Sequence, residues 1–166
     1  NGVDERQVLA SDENKSVSQE YTFESDIDDD EQVRAVMMQL SEEVSFRLRR
    51  NGYKGKTVTL KIRLTGFETF TRSHTLENPT NFTEEIYGTA DRLYGIFDRQ
   101  GRKIRLIGVK VDHFDAQEHQ FDLFETQPVI RRERLHQALD RVRERFGYGM
   151  IRRARGMDAK DEERET

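Results

Sequence analysis

Residues 57–76 read TVTLKIRLTGFETFTRSHTL, a sequence typical of two neighbouring β-strands. In its first part, residues 57–64, apolar Val, Leu and Ile alternate with Thr, Lys and Arg, so one strand face is apolar and the other polar. Gly66 marks a turn, and residues 68–76 continue as a strand rich in Thr and Phe. The stretch therefore predicts two strands that cover a core with one face only.

Similar patterns continue towards the N-terminus. Residues 15–23 alternate in the same way and predict another strand. From Val33 to Leu48, apolar residues recur at helical spacing and predict a helix. The acidic run Asp28–Asp30 suits the positive N-terminal end of that helix, and Gly52 suits its C-terminal end.

Towards the C-terminus, Asn81 and Glu84 predict a capping box for a second helix that reaches Phe97. Residues 103–114 predict a fourth strand, rich in β-branched residues. The order is strand, helix, strand, strand, helix, strand. It predicts an α+β fold, a four-stranded antiparallel sheet with two helices on one face in the ferredoxin-like arrangement.

The remaining segments predict a domain organisation with polar ends. Residues 1–14 are predicted to be a linker, and residues 15–114 the folded domain. Residues 115–130 are predicted to be a loop with one apolar cluster. Residues 131–166 are predicted to form a tail that is first helical, around Leu135 to Phe146, and then disordered.

Composition narrows the classes of function. The 166 residues contain no Cys, which excludes disulfides, thiolate nucleophiles and Cys-ligated zinc. The longest apolar run is only Ala35–Met38, so no membrane-spanning helix is expected. The net charge is −4, yet residues 31–114 hold 15 basic and 10 acidic residues. This basic middle is either a footprint for nucleic acid or an ordinary solvated surface.

Motifs of catalysis are absent from the sequence. The four His residues lack the spacing of a metal site, and there is neither a glycine-rich phosphate loop nor a GxSxG turn. Asp28–Asp30 are better explained as a helix cap than as a metal site. The residues alone predict a binding module.

The polar face of the predicted sheet is the candidate binding surface. It combines cations with hydroxyl groups, the side chains that donate hydrogen bonds to phosphate oxygens. No aromatic pair for stacking single-stranded bases is found there, so backbone contacts with little reading of sequence are expected. A solvated sheet face would look equally polar. The residues assigned to this surface are Thr57, Thr59, Lys61, Arg63, Thr71, Arg72, Ser73, His74, Thr75 and Lys110.

Three motifs carry a resemblance to a known family. They are KSVSQEYTF at 15–23, FTRSHTLENPT at 70–80 and IRLIGVKV at 104–111. In this order they resemble the little-finger domain of Y-family translesion DNA polymerases, with the bacterial DNA polymerase IV branch the closest, over about residues 1–155. One departure is Ser18, where the family usually has Gly.

The resemblance implies a DNA-binding role in damage bypass. The sheet would lie against the major groove of a primer–template duplex and grip both backbones. The palm carboxylates and the magnesium ions that they bind would belong to the parent polymerase, so this fragment would have no catalytic residue and no cofactor of its own. A cytoplasmic monomer without membrane contact is expected. The implied DNA-binding residues are Ser16, Val17, Ser18, Lys61, Arg63, Thr71, Arg72, Ser73, His74, Thr75, Gly108 and Lys110.

A second motif lies in the predicted loop. Gln120-Phe121-Asp122-Leu123-Phe124 resembles the QLxLF peptide with which bacterial polymerases bind the sliding clamp. Its apolar side chains would enter a pocket of the clamp, or they would pack on the domain's own core. The alternative function for the whole chain is a protein-interaction module with a ferredoxin-like fold and no nucleic-acid role.

Overall fold

The structure is a computed structural model that describes residues 16–114 and 127–146. Four strands form one antiparallel sheet in the order β1-β4-β2-β3. The predicted α+β fold is confirmed, and a third helix follows the sheet. The elements are β1 (Ser16–Ile27), α1 (Asp30–Arg50), β2 (Gly55–Leu64), β3 (Thr69–Thr80), α2 (Thr83–Gly95), β4 (Ile104–Phe114) and α3 (Gln127–Phe146).

The core lies between one sheet face and the helices α1 and α2. Leu60 pairs with Val109 and Ile62 with Ile107, so the apolar positions of β2 and β4 stand side by side. All four are at most 1% exposed. The apolar stripes of α1 and α2 cover these residues, since period two in the strands and period 3.6 in the helices each place apolar side chains on one side.

The ends of α1 follow the sequence signals. The Asp29 carboxylate accepts hydrogen bonds from the backbone N–H groups of Glu31 at 2.9 Å and Gln32 at 3.3 Å. Gly52 has a φ of +69°, a conformation that glycine adopts without steric cost, just beyond the helix end. The interpretation of Asp28–Asp30 as a helix cap is confirmed.

The predicted capping box of α2 is wrong. The residue at the N-cap is Phe82, which makes no capping hydrogen bond with its side chain. The Asn81 side chain instead donates to the backbone carbonyl of Tyr53 at 3.3 Å. Asn81 is only 9% exposed, so its amide is used to join two loops in the tertiary structure.

Several predicted boundaries also shift. β1 continues to Ile27, and β3 passes through Pro79 to Thr80 because it is an edge strand, where a missing N–H is tolerated. α3 begins at Gln127, inside the segment 115–130 that was expected to be a loop. Within the described ranges, no helix is both long and apolar enough to cross a membrane.

α3 contacts the domain through its charged side, contrary to its amphipathic pattern. Arg49 of α1 donates two hydrogen bonds to the Asp140 carboxylate, at 2.6 and 2.9 Å. Arg143 and Glu42 form an ion pair at 3.5 Å with both side chains at most 4% exposed. Leu135, by contrast, is 57% exposed.

Candidate nucleic-acid interface

The candidate interface is the sheet face opposite α1 and α2, called the open face below. Strand register arranges its residues in four rows that run across β1, β4, β2 and β3. The rows are Ser16, Asp112, Thr57, Thr75; then Ser18, Lys110, Thr59, Ser73; then Glu20, Gly108, Lys61, Thr71; and finally Thr22, Leu106, Arg63, Thr69.

Hydroxyl pairs connect β2 with the edge strand β3. The Thr59 and Ser73 hydroxyl oxygens are 2.8 Å apart, and those of Thr57 and Thr75 are 3.2 Å apart. In the last row, the Arg63 Nε donates to the Thr69 hydroxyl at 2.9 Å. The short side chains of these hydroxyl pairs project only a little above the backbone of the sheet.

The middle of the open face is concave. Residues of the first three rows line a cavity of about 500 Å³, with Gly108, Lys61 and Lys110 among them. Among its lining residues there is no Phe, Tyr or Trp, and the one aromatic ring, that of His113, is bound to the Asp112 carboxylate. A ridge of phosphates fits such a shape better than a flat base, because base stacking needs an aromatic surface.

Gly108 lets two strands that are not neighbours form an ion pair. The Lys61 ammonium on β2 donates to the Glu20 carboxylate on β1 at 2.8 Å, across β4. A Cβ at position 108 would lie 2.9 Å from the Glu20 Cγ. The missing side chain therefore leaves room for the ion pair above the backbone of β4.

Lys110 is also paired with a carboxylate. Its ammonium lies 2.6 Å from Asp112, two residues along β4, and the His113 ring lies 2.6 Å from the other oxygen of the same carboxylate. Partial burial alone would raise the pKa of Asp112, but the hydrogen bonds from Lys110 and His113 outweigh burial and lower that pKa below its ordinary value. Both lysines of the open face are thus held by acidic neighbours.

Sequence reasoning missed these two acidic partners. Glu20 and Asp112 bear the charge that a phosphate-binding surface should avoid, so composition gave no reason to select them. The alternation of β1 does place Glu20 on the same side as Ser18. That parity was the signal available, but the partner of Glu20 depends on the order of the strands in the sheet.

Three of the implied DNA-binding residues lie on the helix side of the sheet. Val17 pairs with Val111 and is 7% exposed, within the core. Arg72 and His74 pair with Leu60 and Val58, whose side chains are buried beneath the helices. The expectation that Arg72 and His74 share a face with Thr71, Ser73 and Thr75 is wrong, because successive residues of a strand point to opposite faces.

Arg72 instead packs at the sheet edge beside α2. Its guanidinium lies 5.7 Å from the centre of the Phe97 ring, and that ring contacts Phe70 at 5.3 Å. β3 is an edge strand, so Arg72 is exposed although it lies on the helix side. Its position suits a contact at the rim of the sheet and not on the open face.

The remaining expectations concern metal binding and three segments of the chain. Among the described residues, no three His, Asp or Glu side chains are grouped so that they could hold a metal ion. Three predictions concern residues outside the described ranges: a linker at 1–14, a disordered end of the tail, and the motif Gln120–Phe124.

Comparison with known proteins identifies the fold and its family. A model of the impB/mucB/samB family C-terminal domain matches residues 14–123. The chain belongs to this family. The match includes every residue of the open face and the first four residues of the Gln120–Phe124 motif.

Individual relatives of this impB/mucB/samB C-terminal domain carry one name. DNA polymerase IV of Dehalococcoides mccartyi is 35% identical over 161 residues, which cover 96% of this chain and 41% of that protein. DNA polymerase IV of Streptomyces coelicolor is 41% identical over 121 residues, or 73% of this chain and 25% of that protein. The chain thus spans about two fifths or less of the curated relatives that it resembles.

A solved structure agrees with this family. The little finger domain of polymerase IV, determined in complex with the β-clamp processivity factor, superposes with a TM-score of 0.52 at 25% identity. It covers 67% of this chain and 100% of that domain. The resemblance to the little-finger domain of Y-family polymerases is confirmed.

Proposed function

We propose that the open face binds the phosphate backbones of primer–template DNA, and that the chain is the little-finger domain of a translesion DNA polymerase IV. The observation that carries this proposal is the concave floor at Gly108 flanked by Lys61 and Lys110. Hydroxyl groups and two lysines line this space beside the carboxylates of Glu20 and Asp112, and lysines that exchange these carboxylates for phosphates would contact DNA without reading bases.

The ion pairs of Lys61 and Lys110 limit how much affinity each phosphate contact can add. Each ammonium exchanges a carboxylate for a phosphate when DNA binds, so a single contact adds little affinity. Duplex DNA carries one phosphate charge per about 1.7 Å of helix axis, which offers an equivalent partner at every step. Weak, equivalent contacts suit a domain that holds DNA while the duplex advances.

The proposal extends to the parent protein through its relatives. They are named DNA polymerase IV, so the parent would be a DNA-directed DNA polymerase acting in damage bypass. Its catalytic carboxylates and magnesium would lie outside this chain. The protein would act as a monomer on DNA.

The Gln120–Phe124 motif would attach the polymerase to the sliding clamp. A related little finger domain was solved with a β-clamp processivity factor, which supports this part of the proposal. Two apolar anchors, Leu123 and Phe124, follow the register-fixing Gln120 in an otherwise polar stretch. Such anchors dominate binding when they are buried in a partner's pocket.

The experiment is a fluorescence anisotropy titration of the full chain with labelled duplex DNA at two salt concentrations. Phosphate-driven binding weakens as salt rises, with a slope of about 0.9 in log K per log salt for each phosphate contact. Lys61→Ala and Lys110→Ala should each lower affinity and reduce the slope. Arg34→Ala is the matched control, since this cation lies in the helix layer in an ion pair with Asp91.

Two results would contradict the proposal. Absence of salt-dependent binding by the wild-type chain would remove the DNA role and favour the protein-interaction module. Equal losses for Lys61→Ala and Arg34→Ala would mean that net charge, and not the open face, accounts for binding.

A further inference from the structure

Phe67 occupies a costly position for an aromatic residue. It lies in the turn between β2 and β3 with a φ of +68°, a left-handed conformation that residues with a Cβ disfavour. Its side chain is also 66% exposed, so little apolar surface is removed from water in return. Neither backbone preference nor burial of apolar surface therefore favours a Phe at this position. Residues with strained backbone conformations cluster at functional sites.

The structure holds this ring in a fixed place. The Arg105 guanidinium lies 4.7 Å from the centre of the Phe67 ring. Asp26 accepts hydrogen bonds from Arg105 at 3.3 Å and from the Thr65 hydroxyl at 2.9 Å, so one carboxylate fixes both the arginine and the turn. Thr65 also donates its backbone N–H to the Lys103 carbonyl at 2.9 Å.

The turn extends from one end of the open face. Arg63 and Thr69, two residues of its last row, pair with each other where β2 approaches the turn and β3 leaves it. A duplex held on the open face would therefore end or continue beside Phe67. Base stacking on an aromatic side chain with a nearby arginine is a common mode of single-strand recognition.

We propose that Phe67, supported by Arg105, is a stacking platform for an unpaired base next to the duplex that the open face holds. This inference rests on the proposed function and adds a second class of contact to it. The rows of the open face would contact phosphates, and the turn would contact the face of a nucleobase. The chemistry requires an unstacked base, so blunt duplex should not use the platform.

The test compares two labelled DNAs on the full chain, a primer–template with a single-stranded template extension and a blunt duplex with the same paired sequence. Phe67→Ala should weaken binding of the extended DNA about fivefold to tenfold and leave the blunt duplex unchanged. Phe67→Tyr should keep the wild-type affinity. Ile96→Ala is the matched control, because Ile96 is 77% exposed but follows α2.

A second variant separates a structural role from a binding role. Phe67→Gly relieves the left-handed backbone, so its melting temperature should rise by about 3 °C while its preference for the extended DNA disappears. A 2-aminopurine at the first unpaired template position reports stacking directly through its emission. That emission should change when wild-type protein binds and stay unchanged with Phe67→Gly.

Each remaining outcome overturns the proposal. Wild-type affinity of Phe67→Ala for both DNAs would overturn it while the DNA role of the open face stands. Equal losses on both DNAs would assign Phe67 to the duplex and not to an unpaired base. Failure of the wild-type chain to bind either DNA would overturn this inference together with the proposed function.

Discussion

Replacing Glu20 by Gln should raise the affinity of the chain for duplex DNA. The Glu20 carboxylate accepts a hydrogen bond from Lys61 at 2.8 Å, so a phosphate bound by Lys61 would lie about 6 Å from it. At this distance, Coulomb repulsion is about 0.7 kcal/mol in water and about twice that at half the dielectric constant. Because the Glu20 side chain is 43% exposed, the value near water applies, and affinity should rise about threefold.

The fold should tolerate this replacement. A surface ion pair contributes about 0–1 kcal/mol, and Gln retains the length of Glu and an oxygen that can accept from Lys61. Salt dependence should become steeper, by up to about 0.9 in slope, as Lys61 gains a full phosphate contact. Anisotropy titrations over a series of salt concentrations measure both quantities.

Asp91→Asn is the control for lost negative charge. Asp91 pairs with Arg34 at the same distance of 2.8 Å and with comparable exposure, but in the helix layer. Its replacement changes net charge equally and should leave DNA affinity nearly unchanged. An equal gain in both variants would refute the local argument, and no gain in Glu20→Gln would refute the proposed phosphate contact of Lys61.

Three further predictions concern pH, the tail helix and the clamp motif. Folding lowers the pKa of Asp112, so the stability that its ion pairs contribute is complete above the unfolded pKa and is lost as pH falls through the folded pKa. In Asp112→Asn, the melting temperature should therefore depend less on pH in this acidic range. Arg143→Ala leaves Glu42 without the cation at 3.5 Å, so hydrogen exchange of α3 should accelerate, and unchanged exchange would contradict this view of docking. Replacing Leu123 and Phe124 together by Ala should abolish clamp binding in a pull-down while melting changes little, whereas a loss of several kcal/mol in stability would make the motif structural.

The sequence predicted the elements because their signals are local. Alternation in residues 57–64 and the helical stripe from Val33 to Leu48 depend only on neighbours along the chain. The boundaries shifted where tertiary contacts took part, as at Asn81, whose amide joins the α1–β2 connection and not the helix end. Propensity alone cannot choose between two partners for one side chain.

The candidate site was predicted in part for the same reason. Strand parity correctly placed Lys61 and Arg63 on one face, and it would have placed Arg72 opposite Thr71 had it been applied to β3. Arg72 and His74 were assigned to the polar face because they are neighbours of Thr71, Ser73 and Thr75 in the sequence, and this assignment ignores the two faces of a strand.

What the sequence by itself determined is the set of strands and helices, their order and the polarity of each strand face. Only the tertiary structure decided that Glu20 reaches Lys61 across Gly108, since this pair requires β4 to lie between β1 and β2. Only the tertiary structure also decided that the charged side of α3 faces the domain, because Arg49 and Glu42 of α1 form ion pairs with Asp140 and Arg143 of α3. Periodicity is read from one segment of chain, but ion pairs depend on which distant segments the folded core brings together.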